Sequence, residues 1–193
     1  MITPILDAAE KIERWNSKVG LSHPARLFYA HLQGLEHFVG KRVLEIGGTD
    51  NEHGNMAGYF RAMDAEYQMI RLEENKDNIP YVLPERDFRY IHSSAQYDLI
   101  ISLGVFEEFG LDQTADRSED HRSFYQCNSA DLKKLYALTA AGGINIMGTI
   151  SDPCLFSDQE IQQAGFTLVD RIPHFFSYGQ RISDTSELVV MSK

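Results

Sequence analysis

The sequence predicts an α/β protein built on a mostly parallel sheet, and three observations carry that expectation. From Lys41 onward, short apolar runs are separated by helix-like segments, the pattern of strands joined by crossover helices. The run Tyr97 to Leu103 holds Leu99, Ile100 and Ile101 in unbroken succession, as a strand buried on both faces requires. A chain of 193 residues also buries roughly 70% of the surface its unfolded form exposes, enough for a full sheet without disulfides or a structural metal.

Two helices are expected first. Thr3 and Pro4 read as a cap and a first-turn proline, with Ile5, Ala9, Ile12 and Trp15 at helical spacing and a stop near Gly20. Ser22 and Pro24 open a second, with Phe28, Leu32, Leu35 and Val39 on one face and Gly40 as its stop. Strands are then expected at Arg42 to Ile46 and Tyr67 to Leu72, with a helix including Met56 to Met63 between them. Residues 73–96 contain Pro80 and Pro84 and offer at best a short strand at Phe88 to Ile91. After the central strand comes a long polar segment, Glu107 to Arg122. A helix follows, carrying Leu132, Leu135, Tyr136 and Thr139, started by Ser129 and stopped by Gly142-Gly143. Ile144 to Ile150 is a strand. Ser157 and Glu160 form a capping box for a short helix ending at Gly165, and Phe166 to Ile172 and Glu187 to Met191 complete about seven strands.

Composition excludes several functions. With 18 Lys+Arg against 28 Asp+Glu the formal net charge is −10, which disfavours nucleic acid, whose binding depends on basic side chains displacing phosphate counterions. Cys127 and Cys154 have no Cys or His at zinc spacing, so they read as reduced thiols. Met1-Ile2-Thr3-Pro4 meets Asp7 and Glu10 at once, so no secretory leader is expected. The apolar stretch from Leu99 to Phe106 falls short of the about 20 residues needed to cross a bilayer. A cytoplasmic protein without a membrane partner is the expectation. Asp50, Glu52 and His53 could be written as a metal site, but a carboxylate-rich turn with one histidine is more often solvated, and no metal is expected.

The segment Val43-Leu44-Glu45-Ile46-Gly47-Gly48-Thr49-Asp50 holds most of the chemistry. A strand running into consecutive glycines lets the backbone approach a ligand at the carboxyl end of a sheet, or simply makes a tight turn. Thr49 and Glu52 at the required offsets exclude a dinucleotide fingerprint, and no Gly-Lys-Ser/Thr marks a phosphate loop.

This segment resembles the first motif of the class I S-adenosylmethionine-dependent methyltransferases. Three later segments match in order: Tyr97 to Ser102 the family's central fourth strand, Leu138 to Ile144 with Gly142-Gly143 the entry to its fifth, and Ala164-Gly165-Phe166 the turn into its sixth. The resemblance covers residues 41–193. It implies a Rossmann-like, doubly wound sheet with an antiparallel last strand and S-adenosylmethionine as cofactor. Glu45, Gly47, Gly48 and Thr49 would then lie at the methionine end. Glu73, with Glu74 as fallback, would accept hydrogen bonds from the ribose; if the second strand ends earlier, Arg71 takes that place with the opposite hydrogen-bond sense. Asp87 would lie near the adenine, and Ser102 and Leu103 at the end of the central strand. Where small-molecule methyltransferases often have Glu-His this chain has Glu107-Glu108; either would deprotonate or orient an acceptor if buried, or else cap the loop or face water.

The resulting expectation is one compact domain: a helical extension at 1–40, whose Trp15, Phe28, Tyr29 and Phe38 either line the substrate side or pack the two helices on the sheet, and a methyltransferase-like domain at 41–193. Its function would be methyl transfer to a small molecule, neutral or cationic given the acids around the site. Thr49 and Asn51, where the family usually has glycine, support the alternative of an inactive binding or interaction module. His121 reads as a surface residue. Oligomeric state is not legible in the sequence.

Overall fold

The computed structural model describes residues 39–47, 57, 60–61, 64–71, 75, 78–85, 87–92, 94–103, 129–149, 156–173, 177–178, 181–182 and 187–193. The amino-terminal helices and the polar segment 107–122 lie outside these residues. Strands β1 (Arg42–Ile46), β2 (Glu66–Ile70) and β3 (Tyr97–Leu103) are followed by helix α1 (Ser129–Leu138), strand β4 (Thr139–Thr149), helix α2 (Asp158–Ala164) and strand β5 (Thr167–Pro173). A hairpin, β6 (Ser177–Tyr178) and β7 (Arg181–Ile182), precedes β8 (Glu187–Ser192).

The main sheet has six strands in the order β2-β1-β3-β4-β8-β5. β2, β1, β3 and β4 pair in parallel, and β8 runs antiparallel to both β4 and β5. The place of a seventh strand, beyond β2, holds a single parallel bridge between Met69 and Val82. Met69 donates to the Tyr81 carbonyl and accepts from Leu83, both at 2.8 Å. Pro80 and Pro84 bracket this three-residue stretch, and a residue without an N–H cannot extend a ladder. Phe88–Tyr90, expected as a short strand, is instead a 3₁₀ turn. The Asp87 side chain accepts from the Arg89 N–H and so offers the backbone a local alternative to pairing.

Two further boundaries differ from expectation. β2 stops at Ile70 rather than Leu72. Helix α1 ends at Leu138 and runs straight into β4, so Gly142-Gly143 lie inside a strand instead of stopping a helix. Thr139 makes the junction: its hydroxyl donates to the Leu135 carbonyl at 2.7 Å, and the Lys193 ammonium donates to the carbonyls of Tyr136 and Thr139. Carbonyls that a helix end leaves over are thereby satisfied. A side chain on Gly143 would meet the carbonyl oxygens of Ala140 and Tyr97 at about 3 Å, 2.9 and 3.0 Å respectively, which is why that position is glycine. At α2 the expected capping box is present, with Ser157 and Glu160 bonded reciprocally and Gly165 closing the helix at φ +107°.

Alternation along the paired strands places Leu44, Ile46, Ile100, Met147, Val189 and Met191 on one face, packed with Leu132, Leu135 and Leu138 of α1 and Ile161 of α2 in a single buried cluster. Each such side chain contributes about 1.5–3 kcal/mol on burial. At the amino ends of the strands Asp98 ties β3 to β1, accepting from the Lys41 ammonium at 3.0 Å and the Arg42 N–H at 2.9 Å. Burial by itself would raise the Asp98 carboxyl, but these two donors outweigh it and hold it below the usual aspartate range. Among the described residues no helix is long and apolar enough to cross a membrane.

Candidate active site

Strand order locates the site. β1 connects to β2 on one side, whereas β3 lies on the other, so the direction of winding reverses between β1 and β3. In open α/β sheets a ligand crevice opens at such a reversal, outside the carboxyl ends of the strands. Ile46 pairs with both Ile70 and Ser102, which brings the ends of β1, β2 and β3 into one row.

The next residues form the rim: Gly47 after β1, Arg71 after β2 and Leu103 closing β3. Gly47 has φ +81°, a conformation L side chains rarely adopt, and its N–H donates to the Ile70 carbonyl at 2.7 Å. The turn is thus fixed against β2. Ser102 is 1% exposed, and its hydroxyl is buried with no hydrogen-bond partner. On β4, facing the same side as Ser102, Asn145 is fully buried with both amide atoms unpartnered. Such groups are costly unless something polar reaches them.

Two residues before Gly47, Glu45 is half-buried and accepts a hydrogen bond from the Tyr67 hydroxyl of β2. Tyr67 is held by aromatic neighbours, stacked on Phe60 at 6.0 Å and edge-on to Tyr81 at 5.5 Å. Asp87 spends its carboxylate on the 3₁₀ turn, bonded to the backbone and guanidinium of Arg89. Arg71 is half-buried, with its guanidinium 3.4 Å from the Asn75 side-chain oxygen.

No protein-family model matches the sequence, and no curated protein matches it significantly. Solved structures do match. The 1,6-didemethyltoxoflavin-N1-methyltransferase of Burkholderia thailandensis, with 1,6-didemethyltoxoflavin and S-adenosylhomocysteine bound, aligns over 98% of this chain and 84% of its own, with 13% identity and a TM-score of 0.58. A TehB-like S-adenosylmethionine-dependent methyltransferase of Corynebacterium glutamicum aligns over 97% and 98%, with 19% identity and a TM-score of 0.57. The N-methyltransferase NodS of Bradyrhizobium japonicum, in complex with S-adenosylhomocysteine, aligns over 89% and 88%, with 13% identity and a TM-score of 0.53. This chain has the S-adenosylmethionine-dependent methyltransferase fold.

Within the methyltransferase fold, the described residues bring Gly47, Ser102 and Leu103 together at the carboxyl rim, with Glu45 just behind. Gly48, Thr49, Glu73, Glu74, Glu107, Glu108 and the side chain of Leu103 lie outside the described residues. The structure also places residues that the sequence reading did not single out. Tyr67 is the partner of Glu45, and the signal for it was its place on the strand face that Glu45 shares. Asn145 is a polar residue inside the apolar run Ile144 to Met147, which was itself a flag. Two features of this rim leave room or unmet polarity for a ligand: a turn without a Cβ at Gly47, and a buried Ser102 hydroxyl with no hydrogen-bond partner.

Proposed function

We propose that the protein is an S-adenosylmethionine-dependent methyltransferase acting on a small molecule, in one compact domain that pairs the helical segment 1–40 with the sheet domain 41–193. The Gly47 turn, held at positive φ against Ile70 at the winding reversal, is the observation that carries the reading. The fold supports it, as does a neighbour of that fold that holds the small molecule 1,6-didemethyltoxoflavin beside S-adenosylhomocysteine.

In this reading Gly47, Gly48 and Thr49 receive the methionine end through backbone, Glu45 faces its amino group while Tyr67 orients the carboxylate, and Ser102 and Leu103 form the floor. Glu73 and Asp87 are the acids on the adenosine side. When bound, the cofactor supplies a methyl group on a sulfonium, which a nucleophile displaces directly. The chain's own task is positioning: holding two reactants in line at near contact removes much of the barrier without a dedicated base. Glu107 and Glu108 orient or deprotonate the acceptor. The acid excess favours a neutral or cationic acceptor over a phosphate-rich one, and the composition suits the cytoplasm.

Thermal unfolding with S-adenosylmethionine and S-adenosylhomocysteine tests the reading, because a ligand that binds only the folded state must raise Tm. A rise with either supports it. No rise at millimolar ligand leaves the alternative, a methyltransferase-fold binding module, for which Thr49 and Asn51 in the glycine loop already speak.

A further inference from the structure

On the face of the sheet that packs against α1, the Ser102 hydroxyl and both amide atoms of Asn145 are buried and meet no partner. Register puts the two residues on neighbouring strands, one step apart in depth. Ser102 pairs with Ile46 and Met147 in the row at the carboxyl rim, and Asn145 pairs with Ile100 and Met191 in the row beneath it. A two-residue offset and one strand spacing separate their Cα atoms by about 8 Å. Neither side chain satisfies the other, yet one small group can reach both.

Nothing in the packing asks for polarity here. Ile100, Met147 and Met191 are apolar and buried, in one cluster with Leu132 and Leu135 of α1, and an apolar side chain in place of Asn145 would leave no group unmet. Reversing the amide changes nothing, because both of its ends are unpartnered. Core positions that break the packing rules in this way mark sites of use. Access comes from the position of Ser102, near the end of β3 beside the winding reversal, where the crevice opens.

The chemistry of the pair defines what it takes. The Ser102 hydroxyl donates and accepts, the Asn145 amide donates through Nδ2 and accepts through Oδ1, and neither is charged. A carboxylate only accepts and leaves Oδ1 unmet; an ammonium or amidinium only donates and leaves Nδ2 unmet. Either also brings a charge among apolar side chains. We propose that Ser102 and Asn145 form a subsite for a neutral group that both donates and accepts, a carboxamide or a hydroxyl, carried by a molecule bound in the crevice. On the methyltransferase reading, on which this last step rests, the group belongs to the acceptor, since the methionine end of the cofactor offers an ammonium and a carboxylate.

The full-length chain, isotopically labelled, is titrated near neutral pH with formamide, methanol, formate and formamidinium while its side-chain amide signals are followed by NMR. Asn145→Val and Asn145→Leu each delete one pair of those signals and thereby assign Asn145. The proposal expects formamide or methanol to shift the Asn145 pair saturably, the stronger of them identifying the group as carboxamide or hydroxyl. Formate and formamidinium should bind at least roughly tenfold more weakly, and Ser102→Ala should weaken the neutral probe about tenfold. Asn145→Val should abolish its binding while the unliganded urea midpoint stays level or rises, a combination that a packing role does not produce. An Asn145 pair unmoved by both neutral probes overturns the proposal, as does a charged probe that binds as tightly, or a neutral probe that Asn145→Val still binds. S-adenosylhomocysteine, titrated separately by thermal shift, decides the methyltransferase reading. A rise with it and no response to the neutral probes leaves that reading standing and removes the subsite; the converse leaves the subsite standing and removes the cofactor.

Discussion

Gly47→Ala separates the local geometry of the glycine turn from its service to a ligand. Gly47 sits at φ +81° with its N–H bonded to the Ile70 carbonyl. A Cβ in the left-handed region costs about 1–2 kcal/mol, and for a chain of this size each kcal/mol lowers Tm by about 2–4 °C. Together these give a fall of roughly 2–8 °C in the unliganded protein. The second readout is the rise produced by S-adenosylhomocysteine. At a concentration 100 times Kd, a ligand adds about 2.7 kcal/mol of stability. If the new methyl group weakens binding tenfold, the same concentration adds only about 1.4 kcal/mol by the same relation, so the ligand-induced rise is nearly halved. Differential scanning calorimetry with and without ligand measures both quantities. An unliganded Tm within about 1 °C of wild type would refute the strained turn. A reduced unliganded Tm with an undiminished ligand response would show that the ligand does not lie against Gly47.

Asp98 should govern part of the acid limb of stability. Its carboxyl is held below the ordinary value by the Arg42 N–H and the Lys41 ammonium, against the effect of burial. Its contribution is therefore complete above the unfolded value of about 4 and lost as pH falls through the lower folded value. Urea midpoints from pH 3 to 7 should fall steeply on the acid side for wild type and more gently for Asp98→Asn, and parallel curves would contradict the assignment. At Asn145 two buried amide atoms have no partner, and each unmet group costs about 1–3 kcal/mol. Asn145→Val should hold or raise the urea midpoint; a clear fall would show that the amide is satisfied by a bound water or ligand.

The parallel core was legible because its strands are continuous apolar runs: Tyr97–Leu103 matched at both ends, and Arg42–Ile46 likewise. The capping box at Ser157 and the left-handed Gly165 were readable from local chemistry that tertiary contacts do not override. Misreadings occurred where a distant partner decides. Gly142-Gly143 signals a helix stop in isolation, yet Gly142 donates to the Lys193 carbonyl and Lys193 donates back to Gly143, so residues 50 positions away make the segment a strand. Phe88–Tyr90 has strand-like residues, but one carboxylate from Asp87 bends it. At the site, a strand running into glycines was legible at Ile46-Gly47, whereas the residue that first follows β2 depended on where that strand stops. That boundary is set by the Gly47 N–H, which no local pattern in β2 records.

The position of β8 bears on the order in which the chain can fold. It is the last strand in sequence yet lies between β4 and β5, pairing with both. During synthesis β1 through β4 can assemble as they emerge, because β2, β3 and β4 each find an earlier neighbour. β5 is made before its partner exists and must wait about 14 residues, the separation of Pro173 and Glu187, plus the span still inside the ribosome. A chain stalled before residue 187 leaves β4 and β5 with open edges at once, and exposed edges are the templates on which chains aggregate. Completion of this sheet is consequently a late and single event, which closes both edges together.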